Sequence, residues 1–126
     1  MKNESKAFIY EHYVLFNKDK TIIISYRAKE ASYAIPDSVT SIGESAFSFC
    51  NSLTSINIPD CVNDIGDGAF AGCNSLTSIN IPNSVTNIGD YAFAGCDFLS
   101  PQVKSDIIQR FGGEVFYGED ISHLIY

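Results

Sequence analysis

A single motif recurs at a fixed period through the middle of this chain, starting at Ile35, Ile58 and Ile81, and no other feature limits the fold so tightly. From Ile35 the sequence reads IPDSVTSIGESAFSFCNSLTSIN, and from Ile58 it reads IPDCVNDIGDGAFAGCNSLTSIN. The two copies differ only at Ser38/Cys61, Thr40/Asn63, Ser41/Asp64, Glu44/Asp67, Ser45/Gly68, Ser48/Ala71 and Phe49/Gly72. A third copy, IPNSVTNIGDYAFAGCDFL, starts at Ile81 and breaks off after Leu99. A fixed period over consecutive copies marks a solenoid, in which one unit cannot bury its apolar face alone and neighbouring coils supply the cover.

Each recurring residue type has a physical reading. Leu53, Ile56 and Ile58, repeated as Leu76, Ile79 and Ile81, point inward from a strand. Pro36, Pro59 and Pro82 end that strand, because proline offers no N–H to the ladder. Val39 and Ile42, with Val62, Ile65, Val85 and Ile88, turn back inside from a second extended stretch. Gly43, Gly66 and Gly89 recur where the backbone takes positive φ or passes close to a neighbour. Gly72 and Gly95 differ, since Phe49 stands at that position in the first unit and shows that glycine is not required there. The pairs Ala46-Phe47, Ala69-Phe70 and Ala92-Phe93 fit a short helical or 3₁₀ turn in which Phe fills the core and Ala admits the next coil. Asn51, Asn74 and Asp97 then turn the chain toward the strand.

The sequence is read as one domain, residues 1–126, with a cap over 1–34, repeats over 35–99 and a second cap over 100–126. YVLFNKDKTIIISY, from Tyr13 to Tyr26, reads as a hairpin around Asn17-Lys18-Asp19-Lys20, with Phe8, Tyr10, Phe16 and Tyr33 as apolar mass over the first coil. One period back from Ile56 stands Tyr33, so the solenoid is expected to begin inside this cap. Ser100-Pro101 is a helix start. Val103, Ile107, Ile108 and Phe111 form the apolar stripe of that helix, Arg110 lies in its last turn and Gly112 ends it. Val115-Phe116-Tyr117 is expected to form a final strand, followed by a tail to Tyr126.

Charge removes whole classes of function. The formal net charge is −7, and no Lys or Arg occurs between Lys29 and Lys104, a stretch that carries Glu30, Asp37, Glu44, Asp60, Asp64, Asp67, Asp90 and Asp97. Nucleic acid and anionic membranes both require cations, so neither is an expected partner. No apolar run approaches the roughly 18–20 residues that span a bilayer, and residues 1–6 lack the apolar region of a signal peptide.

No catalytic site and no cofactor are expected. His12 and His123 lie in opposite caps, no nucleophile elbow or P-loop occurs, and the carboxylates recur by structural period. Cys50, Cys73 and Cys96 recur at the repeat period, while Cys61 replaces Ser38 and Ser84, so the thiols read as small apolar residues stacked along the coils, with a disulfide between neighbouring turns as the alternative. No closely paired cysteines suggest zinc. The rows Glu44/Asp67/Asp90 and Asp37/Asp60/Asn83 read as groups that satisfy N–H donors at a turn, and no metal is expected there.

The unit IPxSVTxIGxxAFxxCxSLTSI resembles the BspA-like, or treponemal-type, leucine-rich repeats, whose usual length is that of the unit seen here. VLFNKDKTIIISY before the first IPDSV and SPQVKSDIIQRFG after the last CxxL are similar to flanks of such proteins from gut and oral bacteria, so the resemblance extends over residues 13–117. It implies a right-handed solenoid with a small parallel β-sheet on one side, an N-terminal β-hairpin cap and a C-terminal helical cap. It also implies a non-catalytic protein-binding module of the bacterial cell surface or adhesion type, whose partner is a host matrix or bacterial surface protein. A structural or self-assembly spacer and an intracellular scaffold are the alternatives, with the oligomeric state a monomer or a cap-mediated dimer. On such a fold Thr54, Ser55, Asn57, Thr77, Ser78 and Asn80 would tile the exposed sheet face as the partner-binding residues.

Overall fold

The structure, a computed structural model, describes residues 8–117. His123 and the tail to Tyr126 therefore lie outside the described residues. The chain begins with strands β1 (Phe8–Glu11), β2 (Val14–Asn17), β3 (Ile22–Tyr26) and β4 (Ser32–Ala34), then winds into coils. Short strands β5 (Ser41–Ile42), β6 (Ser55–Asn57), β7 (Asp64–Ile65), β8 (Ser78–Asn80) and β9 (Asn87–Ile88) follow, and helices α1 (Pro101–Phe111) and α2 (Glu114–Tyr117) complete it.

Strands one period apart pair in parallel. β4, β6 and β8 make a three-stranded sheet in which Tyr33, Ile56 and Ile79 stand abreast. The backward alignment of Tyr33 with Ile56 thus describes a real strand pair. Where one parallel sheet was expected there are two. The second extended stretch of each unit supplies β5, β7 and β9, which pair in parallel with Ile42, Ile65 and Ile88 abreast. β3 joins them at Ile23, and antiparallel β2 and β1 extend the sheet to six strands. The core lies between the sheets and the turns, and includes Val39, Ile42, Leu53, Val62, Ile65 and Leu76, all fully buried.

The recurring glycine of each coil allows close approach. Gly43, Gly66 and Gly89 do not take positive φ. A Cβ on Gly66 would stand 2.8 Å from the backbone nitrogen of Glu44 in the preceding coil. The left-handed positions lie in the following turn: Ser45, Gly68 and Tyr91 share φ near 60°, and Phe49, Gly72 and Gly95 share φ of 58°, 77° and 78°. Phe49 thus occupies a conformation that favours glycine, so its presence shows tolerance at that position and not freedom from the constraint. The Ala-Phe segment is a run of turns closed by bonds such as Ala46 N–H to Gly43 O and Cys50 N–H to Phe47 O. Its other N–H groups reach the next coil, with Phe47 donating to Ala69 O, Phe70 to Ala92 O and Phe93 to Val115 O, at 2.7–2.8 Å.

Those turns carry an aromatic column. Rings of Tyr26, Phe47, Phe70, Phe93 and Phe116 follow one another at centroid spacings of 5.0, 4.9, 5.3 and 6.1 Å. Phe116 belongs to α2, and here the expected final strand is corrected. Gly112-Gly113-Glu114-Val115-Phe116 stands one period beyond Gly89-Asp90-Tyr91-Ala92-Phe93, and it folds as a further Ala-Phe-type turn. Val115 O accepts from Phe93 as a next coil would, and Glu114 O, one residue beyond the equivalent position, accepts from Tyr91. Between the last copy and this turn, α1 takes the place of a strand. The Ser100 side chain accepts from Val103 N–H, Ile107 is buried, and Gly112 donates to Ile108 O.

Several side chains differ from their expected places. Ile108 of the helical stripe is exposed, and Arg110 reaches across to donate to Ile81 O and Pro82 O at 2.8 and 3.1 Å. Phe8 and Tyr10, expected as cover for the first coil, are 54% and 66% exposed. Alternation along β1 sends Ile9 inward against the core in their stead.

Candidate functional site

The coil geometry sorts the six polar residues of the repeat strands. Ser55 pairs with Ser78 and Asn57 with Asn80 across β6 and β8. Asn57, Ser78 and Asn80 are exposed, Ser55 is half-buried, and the intervening Ile56 and Ile79 are buried. Thr54 and Thr77 are exposed at the strand entry, but their hydroxyls are already engaged. Thr54 Oγ1 donates to Ala31 O at 2.9 Å and Thr77 Oγ1 to Thr54 O at 3.2 Å. They tie coil to coil and use the one donor each hydroxyl has, which leaves Ser55, Asn57, Ser78 and Asn80 as the side chains of the face with a donor to spare.

The asparagines open onto a feature missed in the sequence. Asn57 and Asn80, with Asp37, Asp60, Pro59 and Cys61, line a shallow hollow of about 500 Å³. The signal was the run Asn57-Ile58-Pro59-Asp60: proline ends the strand and turns the next carboxylate back beside the face. Asp37 and Asp60 are exposed and take part in no ion pair among the described residues. The face is therefore polar and acidic, suited to amide and hydroxyl hydrogen bonds and to cationic groups.

In the other acidic row one carboxylate, that of Asp67, is structural in a way the sequence did not suggest. Asp67 Oδ1 accepts the N–H of Asp90, one coil further on, at 2.9 Å, so this carboxylate serves the neighbouring turn and not its own. Asp64 likewise accepts from Ser41 in the preceding coil and Asn87 in the following one. Among the described residues no group of three or more His, Cys, Asp or Glu is placed to hold a metal ion.

The cysteines stack along the coils as free thiols. Cys73 donates to Phe47 O at 2.9 Å and Cys96 to Phe70 O at 3.1 Å. Cys61 donates to Val39 O at 3.1 Å, as Ser84 does to Val62 O one coil later. Hydrogen bonding with Cys73, then burial, pushes the Cys50 thiol up. For Cys73 the hydrogen bond with Cys50 pulls the other way, but Cys96 and burial outweigh it and push the thiol up to about 12. Such thiols are protonated at neutral pH and are poor nucleophiles and metal ligands. His12 is exposed in the β1–β2 turn, far in sequence from the face.

Comparison with known proteins points to one family. The model of the BspA-type leucine-rich repeat region matches residues 25–126 as six copies. A leucine-rich repeat protein from Eubacterium ventriosum is 40% identical with a TM-score of 0.72, over 75% of this chain and 26% of that one. One from Bacteroides capillosus is 32% identical with a TM-score of 0.69, over 75% of this chain and 80% of that one. A leucine-rich cell surface protein from Faecalibacterium prausnitzii is 32% identical with a TM-score of 0.57, over 77% and 33%. The chain thus spans about a quarter of the Eubacterium protein and a third of the Faecalibacterium one. No curated protein matches it.

Proposed function

The chain belongs to the BspA-type leucine-rich-repeat family, and from that premise we propose that it is a non-catalytic protein-binding module whose partner docks on the exposed face of β6 and β8. The observation that carries the reading is the in-register row Ser55/Ser78 and Asn57/Asn80, continuous with the acidic hollow at Asp37 and Asp60. Thr54 and Thr77 set the spacing of that row through their inter-coil bonds. With no aromatic or Arg anchor on it, the face binds modestly per coil and gains by repetition. The cell surface is the proposed location, supported by the relative described as a leucine-rich cell surface protein. Among the described residues no helix is long and apolar enough to cross a membrane. Residues 1–126 act as one domain, in which the β2–β3 hairpin closes one end and α1 the other.

The test is binding of the purified chain to immobilised host matrix proteins (fibronectin, laminin and collagen), compared with the double variant Asn57→Ala/Asn80→Ala. Binding that weakens at least tenfold in a variant of unchanged melting temperature supports the reading. Equal binding by the variant, or none by the parent, contradicts it. A second reading, self-assembly through the N-terminal end, draws support from the exposed aromatic residues Phe8, Tyr10 and Tyr13 there. Light scattering separates the two, because a monomer at every concentration removes it.

A further inference from the structure

The two ends of the solenoid are built differently. At the C-terminal end α1 packs beside β8: Ser100 N–H donates to Thr77 O, Arg110 takes Ile81 O and Pro82 O, and α2 accepts from Tyr91 and Phe93. At the N-terminal end β2 and β3 continue only the six-stranded sheet. β4, the first strand of the three-stranded sheet, pairs with β6 on one side and with no described strand on the other.

The register says which atoms are left over. Ala31 O accepts from Thr54 N–H at 2.7 Å, and Ile35 N–H donates to Asn57 O at 3.1 Å, so both face the β6 side. In a parallel ladder the residues that serve one neighbour alternate with those that serve the other. Tyr33 therefore also serves β6, and Ser32 and Ala34 turn their N–H and C=O groups outward. Both are exposed. The edge Ser32-Tyr33-Ala34 has no lysine, proline or other charge of the kind that blunts sheet edges.

Beside this edge lies a groove of about 460 Å³, floored by Val14, Phe16, Ala28 and Tyr33 and rimmed by Glu11 and Glu30. No Lys or Arg lines it. Glu11 is held by Lys20 at 2.7 Å, whereas Glu30 has no ion-pair partner among the described residues. We propose that the open edge of β4 is a strand-addition site that takes an extended peptide of alternating apolar and cationic residues as a fourth strand. Backbone bonds to Ser32 and Ala34 hold it, apolar side chains enter the groove, and a lysine or arginine meets Glu30. This site uses other atoms than the β6–β8 face, so either can fail without the other.

The experiment is amide hydrogen exchange of the full chain with acetyl-Val-Lys-Val-Lys-Val-amide and with its glutamate counterpart. The lysine peptide is expected to slow exchange at Ser32 and Ala34 at least tenfold and to leave Tyr33 unchanged, while the glutamate peptide does neither. Ala34→Pro removes an outward N–H and keeps the Tyr33 ladder, and Glu30→Lys inverts the charge. Each is expected to weaken the lysine peptide about tenfold, and a lysine peptide N-methylated at its central residue tests the same bonds with the protein unaltered. Unchanged exchange at millimolar peptide, or equal binding of the N-methylated peptide, overturns the proposal. So does slowing that appears without peptide as protein concentration rises, which would make a second copy the occupant.

Discussion

Phe70→Ala strikes the middle of the aromatic column. The Phe70 ring is fully buried and lies between Phe47, 4.9 Å away at 17°, and Phe93, 5.3 Å away at 3°. Truncating a buried Phe costs about 3–5 kcal/mol through lost transfer energy and the residual cavity. Each ring pair is worth about 0.5–1.5 kcal/mol beyond area, and Phe70 loses two, which places this site near the top of that range, about 5 kcal/mol. Collapse into the space is limited because the flanking turns are pinned by Phe47 N–H to Ala69 O and Phe70 N–H to Ala92 O. A domain of this size has about 5–15 kcal/mol in all, so the variant loses a third or more of its stability. Phe70→Leu keeps most of the volume and loses the stacking, and is expected to cost about 1–2 kcal/mol. The assay is urea unfolding followed by circular dichroism, since the chain has no Trp. Phe70→Ala within about 1 kcal/mol of the parent would refute the column as the source of stability.

Other substitutions separate similar residues by environment. Phe49→Gly replaces a side chain 73% exposed at φ 58°, and is expected to raise stability by about 0.5–1 kcal/mol in the same unfolding assay. Gly89→Ala puts a Cβ 2.5 Å from the Asp67 backbone nitrogen, and is expected to cost about 1–3 kcal/mol through the forced separation of two coils. Asn57→Ala and Asn80→Ala lie on the solvent face and should shift stability by no more than about 0.5 kcal/mol. Burial, with smaller contributions from Tyr26 and Glu11, pushes the Tyr33 hydroxyl from 10.0 up to about 12. The folded chain holds this proton more tightly than the unfolded one, so stability is intact below pH 10 and falls as pH rises from 10 toward 12. Melting temperature against pH should decline less steeply over that window in Tyr33→Phe.

The period made the coils legible because residues such as Ile42, Ile65 and Ile88 must meet for any of them to be buried. It also placed Tyr33 beside Ile56. What it could not place were residues off the period. Tyr26 opens the aromatic column, yet the residue one period before Phe47 is Ile24, so no alignment of copies marks the tyrosine. Val115-Phe116-Tyr117 reads as a strand by β-branched and aromatic propensity, but stacking on Ala92-Phe93 selects a turn, a case of tertiary packing overriding local preference. Phe8-Ile9-Tyr10 has three apolar residues in succession, and only pairing with β2 decides that Ile9 faces the core. The exposed row of the face was readable from alternation. Thr54 and Thr77 looked equivalent to Ser55 and Asn57 until the inter-coil bonds of their hydroxyls set them apart.

Native-state hydrogen exchange at three amides tests the stacking most directly. Phe47, Phe70 and Phe93 N–H each cross to the following coil, at Ala69 O, Ala92 O and Val115 O. If every coil depends on its neighbours for cover, these amides open together, at a free energy close to that of global unfolding, and Phe70→Ala lowers all three. Rapid, independent exchange at any one of them, at rates like those of exposed turn amides, would contradict the account.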